Sequence, residues 1–78
     1  GDPEPVMALP LLARLDGIVV IGAARRATFQ VADDAVTVEE GGRLGNQAVI
    51  AIATDRVELR SVAGEAHTVP LGAATAFD

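Results

Sequence analysis

The chain holds few side chains that could do chemistry, and their spacing decides what kind. His67 is the single histidine, the one side chain whose ordinary pKa lies near neutrality. A general base needs a nucleophile or an orienting carboxylate at fixed distance. No segment near His67 supplies one, so it reads as a strand histidine. Two acidic pairs follow, Asp33-Asp34 and Glu39-Glu40. A Ca²⁺ loop places its acidic ligands at alternate positions around a central Gly. Adjacent pairs lack that spacing and read as turn chemistry and a solvated face. Gly41-Gly42-Arg43-Leu44-Gly45 is glycine-rich, but it has neither phosphate-loop spacing nor a following helix to hold an anion. With no cysteine and one histidine, no tight transition-metal site is expected. No cofactor and no catalytic residue is expected, and the chain reads as non-enzymatic.

Arg25-Arg26 is different. It is a local positive spot in a chain of net charge −5. Solvated turn arginines are one reading. An anchor for a partner carboxylate is the other, because the guanidinium fork binds carboxylates bidentately.

The chain has 78 residues, enough for one domain. A domain of this size buries only about 60% of its unfolded surface. Disulfide staples are excluded by composition, so stability must come from aliphatic packing and sheet hydrogen bonds; 50% of the residues are hydrophobic. All six basic residues are Arg, and Phe29 and Phe77 are the only aromatics. Nucleic-acid binding asks for clustered positive charge and often for stacking rings, so no nucleic-acid partner is expected. No run of about 18 apolar residues occurs, so no membrane span is expected within the sequence.

Gly1 to Pro5 carries two prolines, which favour extended backbone. The boundaries expected are a linker over 1–8, a β domain over 9–72 and a frayed tail over 73–78. At most one helical turn is expected, near Met7–Leu12. From Leu9 the pattern has a period of two. Leu9, Leu11, Ala13, Leu15, Gly17, Val19 and Ile21 would share a core face, leaving Ile18 and Val20 on the face that Arg14 and Asp16 mark as polar. Either a bulge at Gly17 covers them, or they form an apolar patch or edge that a partner covers.

Gly22 to Arg25 forms a turn, and strands follow over Arg26 to Ala32 and around Val36 and Val38. Gly45-Asn46 supplies the positive φ of a tight turn. Ala48 to Ala53 reads as a central strand buried on both faces. In Arg56 to Val62, Val57 and Leu59 face inward, while Arg56, Glu58 and Arg60 face out. Ala63-Gly64-Glu65 closes a hairpin into Ala66 to Leu71, which Pro70 confines to an edge. The expected core is Leu15, Val19, Phe29, Val49, Ile52, Val57 and Leu59. About six short strands imply an all-β sandwich or partly open barrel.

The order of these segments carries a family resemblance over about residues 9–71. Leu9-Pro10-Leu11, Leu15-x-Gly17-Ile18-Val19, Arg26, a glycine-rich turn with Leu44, Ile52-x-x-Asp55-Arg56-Val57-x-Leu59, a Gly64 turn and Val69-x-Leu71 resemble the periplasmic homology-region domain of type II secretion component C. The related pilus-assembly lipoprotein P shares the plan. Gly42-Arg43 departs from the family's Gly-Asp before the third turn. The resemblance implies two packed antiparallel sheets of three strands each. It implies a periplasmic location in a Gram-negative bacterium, anchored in the inner membrane through regions outside this sequence, which also meet the inner-membrane platform. The implied partner is the N-terminal periplasmic domain of the outer-membrane secretin. The family's docking arginine maps to Arg26, or to Arg25 if the register slips by one. Together these readings assign partner binding to Ile18, Val20, Arg25, Arg26 and Thr28. The alternatives are the equivalent docking domain of a type IV pilus machine, or a small ligand-binding β-barrel. The latter would want a concave pocket and usually aromatics.

Overall fold

The computed structural model describes residues 11–77. The linker over 1–8, with Leu9 and Pro10, lies outside them, as does most of the Met7–Leu12 segment; Leu11 and Leu12 are strand. The described chain is all β. Its strands are β1 (Leu11–Ile21), β2 (Ala24–Val31), β3 (Asp34–Glu39), β4 (Arg43–Leu44), β5 (Gln47–Ile52), β6 (Arg56–Arg60), β7 (Ala66–Pro70) and β8 (Ala74–Phe77). They form two antiparallel four-stranded sheets, ordered β3-β2-β1-β8 and β4-β5-β6-β7. The three-plus-three plan is therefore corrected to four plus four. Each sheet has gained one short strand at an edge, the two-residue β4 and the C-terminal β8.

The β8 strand also corrects the tail. Leu11 to Arg14 pair with Phe77 to Ala74, and Leu15 extends the contact, its N–H donating to Ala73 O and its C=O accepting from Gly72 N, both at 2.8 Å. Ala-rich sequence has weak β propensity. Here the unpaired lower edge of β1 supplies the ladder that makes it a strand.

One core lies between the sheets. Ala13, Leu15, Ala27, Phe29, Val31 and Val38 come from the first sheet, and Leu44, Val49, Ile52, Val57, Leu59 and Val69 from the second. Burying a side chain the size of Leu or Phe is worth about 1.5–3 kcal/mol, and Phe29, Leu15, Leu44, Ile52 and Leu59 are the largest contributors. In β6 the alternation is as read, with Val57 and Leu59 fully buried and Arg56, Glu58 and Arg60 exposed. Pro70 sits on β7, an edge strand, where its missing N–H costs no ladder bond.

Two bulges set the remaining faces. On β1 the register slips between Leu15, opposite Phe29, and Gly17, opposite Thr28, leaving Asp16 as the extra residue. On β5 it slips between Val49 and Ala51, leaving Ile50 extra. Each insertion flips the alternation beyond it. The β5 bulge turns Ile52 inward to 1% exposure and leaves Ile50 at 40%, so β5 is not buried on both faces. The β1 bulge removes Val19 from the core, where it is 52% exposed, and brings Ile18 against the core instead.

Turns follow their chemistry. Gly22 opens the two-residue β1–β2 loop with φ +60°, and Gly45 opens the β4–β5 loop with φ +59°. The β2–β3 hairpin joins Val31 to Asp34 through Ala32-Asp33, and Ala32 adopts φ +52° without being glycine.

Candidate docking site

The β1–β2 hairpin carries every residue assigned to partner binding, and strand alternation, offset on β1 by the bulge at Asp16, sorts them onto two faces. Directly opposed residues of an antiparallel pair share a face. Ile18 pairs with Ala27, and Val20 with Arg25. Because Ala27 is fully buried in the core, this is the inner face. Val19 pairs with Arg26, Ile21 with Ala24, and Gly17 with Thr28 on the outer face. Ile18 and Val20 are thus corrected from an outward patch to inward positions. Ile18 is half-buried and Val20 is 39% exposed. The bulge brings Ile18 against the core and leaves Val20 exposed.

The arginines separate in the same way. Arg25 reaches across to the second sheet, where Nη1 donates to the carbonyl of Ile52 at 2.8 Å. Arg26 lies on the outer face and pairs through Nε with Glu39 at 3.0 Å, its opposite neighbour on β3. Both partners of that pair are more than half exposed, so it contributes well under 1 kcal/mol and leaves the guanidinium open to exchange partners. Thr28 shares its hydroxyl with Thr37 at 3.3 Å.

The residues that sequence reasoning missed are Val19 and Ile21, at 52% and 72% exposure. With Ala24 and Arg26 they line one shallow depression on the outer face. The signal that could have found them is the Asp16-Gly17 step, which suits a bulge, but its effect on facing depends on which residue opposes it.

A second recess is polar. His67 Nε2 and Thr75 Oγ1 lie 3.1 Å apart. Gln47 Nε2 donates to Ala76 O at 2.8 Å and to Thr75 Oγ1 at 3.4 Å. Gln47 is 7% exposed, and its Oε1 is buried without a partner among the described residues. The His67 ring therefore ties β7 to β8 across the open ends of the two sheets. No group of three or more His, Asp or Glu side chains is arranged to hold a metal ion among the described residues, and they contain no helix long and apolar enough to cross a membrane.

Comparison with family models, curated proteins and solved structures finds no match to this chain.

Proposed function

We propose that this chain is a docking module of a type II secretion machine, periplasmic and non-enzymatic, that binds the N-terminal periplasmic domain of the outer-membrane secretin. The observation that carries the reading is the outer face of the β1–β2 hairpin. There Val19 and Ile21 stand exposed beside Arg26, an aliphatic contact with a cationic guanidinium at its rim in a chain of net charge −5. The resemblance of residues 9–71 to the homology-region domain of secretion component C directs the surface to a secretin. The aliphatic pair supplies burial, and Arg26 selects an acidic or carbonyl-lined partner.

The docking contact is Val19, Ile21 and Arg26, with Thr28 beside them. Arg25 and Ile18 support it from the inner side. A patch this small makes a modest interface of micromolar-range affinity, since area and preorganisation both limit it.

The test is titration of the isotope-labelled chain with the cognate secretin's N-terminal fragment, read by NMR shifts. Shifts should centre on residues 17–28. Arg26→Ala and Val19→Asp should each weaken binding by about tenfold or more, the size expected for a desolvated contact. Arg60→Glu, on β6, should leave it unchanged. Shifts clustered on residues 56–71 with Arg26→Ala silent would refute the surface.

A further inference from the structure

The upper half of β1 has an unpaired edge. β8 covers β1 only from Leu11 to Arg14, with the last bonds at Leu15. From Gly17 to Ile21 no strand lies on the side of β1 away from β2 among the described residues. The direction of the amides follows from the register. A two-residue hairpin loop makes Ile21–Ala24 a hydrogen-bonded pair, and such pairs alternate along the ladder. Val19–Arg26 and Gly17–Thr28 are therefore bonded pairs, and the N–H and C=O of Ile18 and Val20 point to the open side. The bonds of Leu15 to Ala73 and Gly72 agree with this alternation, one bulge further down.

Of the other edges, β8 is only four residues long, and the rest are blunted. β5 is covered by β4, by Gly41 and Gly42 bonding Val49, and at Ile52 by Glu40 and Arg25. β7 carries Pro70, and β3 carries Asp34 and Glu39. The open segment of β1 is Gly-Ile-Val-Val-Ile, with no charge and no proline. Uncharged β-branched edges of this kind pair with other strands unless something prevents it.

We propose that two copies of this chain pair through this edge, antiparallel about Val19. Ile18 then faces Val20 of the second copy, and Val20 faces its Ile18, closing four backbone hydrogen bonds with no group left over. Side chains stay on matching faces, because opposed residues share a face. The two Val19 side chains meet on the outer face, and Ile18 and Val20 continue the inner layer. The length fits a second copy. The open stretch is five residues, bounded by the end of β8 on one side and the Gly22-Ala23 turn on the other, so each strand ends where the other's obstruction begins. Charge permits it as well. The two Arg26 side chains would lie three strand spacings apart, about 14 Å, beyond the about 8 Å Debye length of physiological salt. A five-residue edge is smaller than a standard interface of about 1,600 Å², so the dimer is weak and forms at high concentration. It covers Val19 and the β1 edge, so it competes with the docking proposed above; it does not depend on that docking, since it concerns the chain alone.

The experiment uses the chain without a partner. Sedimentation over a concentration series should show monomer passing to dimer, with the Ile18 and Val20 amides gaining hydrogen-exchange protection as the dimer forms. Val20→Pro removes an outward N–H and leaves the β2 ladder whole. Val19→Lys places two like charges on the axis and alters an exposed position. Each should weaken the dimer by about tenfold or more with circular dichroism unchanged. An equimolar mixture of Val19→Lys and Val19→Glu should associate again. Among the described residues there is no cysteine and the full sequence has none, so Val19→Cys should give a disulfide-linked dimer under mild oxidation much faster than Ile50→Cys. A chain that stays monomeric throughout, with Val19→Cys no faster than Ile50→Cys, overturns the proposal. So does protection at Ile18 and Val20 that arises only when the secretin fragment is added, which would give the edge to a foreign strand. A dimer with no secretin binding would leave this inference standing and refute the docking.

Discussion

The guanidinium of Arg25 and the backbone carbonyl of Ile52 meet across the two sheets, Nη1 to O at 2.8 Å, from positions 27 residues apart. The N–H of the same Ile52 donates to Glu40 Oε2 at 2.9 Å. One residue at the end of β5 thus has both backbone groups satisfied by side chains of opposite charge. This satisfies the side of β5 away from β6, which β4 does not reach, and it ties β2 and the β3–β4 crossover to the second sheet.

Arg25→Met keeps the apolar stem and removes the donor. It should cost about 1–3 kcal/mol, the range for stripping a charged partner from a partly buried carbonyl. Glu40→Ala should cost a similar amount, and the double variant should cost less than the sum, since both act on one residue. Urea denaturation checks this; an unchanged midpoint for Arg25→Met would remove its bridging role.

Leu59 and Val19 both belonged to the expected core, and the structure separates them. Leu59 is fully buried and Val19 is half exposed. Leu59→Ala should lower stability by about 2–5 kcal/mol, a large share of what a small domain has. Val19→Ala should change it by less than about 0.5 kcal/mol. Thermal melts followed by circular dichroism distinguish the two.

Ala32 holds φ +52° in a two-residue hairpin loop, a conformation that costs a side-chain-bearing residue about 1–2 kcal/mol. Ala32→Gly removes that strain, while glycine's freedom in the unfolded chain offsets part of the gain. A net stabilisation of about 0.5–1 kcal/mol is expected, seen as a higher melting temperature.

Deleting residues 73–78 tests whether β8 is structural. The deletion strips the lower edge of β1, takes the acceptor Ala76 O from the nearly buried Gln47, and removes Thr75 from His67. A loss of at least about 2 kcal/mol is expected. Amide exchange at Leu15, whose N–H donates to Ala73, should rise sharply. An unchanged denaturation midpoint would return this segment to a frayed tail.

Much of the fold was legible from local pattern. Alternation over residues 56–60 placed Val57 and Leu59 inside, because a strand with one buried face must repeat every second residue. Gly45-Asn46 and Ala63-Gly64-Glu65 marked their hairpins through backbone conformations that few residues adopt: Gly45 and Gly64 both have positive φ. Pro70 marked an edge through its missing donor. These are properties of single residues and their nearest neighbours, and no partner strand is needed to read them.

The facing of the β1–β2 hairpin and the eighth strand were decided elsewhere. A bulge is a relation between two strands, so the residue left over at Asp16 or Ile50 exists only once Thr28 or Glu58 stands opposite. That one-residue slip moved Val19 and Ile21 out and Ile18 and Val20 in, while plain alternation along β2 put Arg25 and Arg26 on opposite faces. In the same way Ala74 and Ala76 have little strand preference of their own, and the segment takes its pairing from the lower edge of β1. Sequence alone determined that six of the segments extend and where they turn, because those follow from local sterics and alternation. Tertiary pairing alone decided which side chains of β1 face outward and which edge stays open, because register is set between strands and not within them.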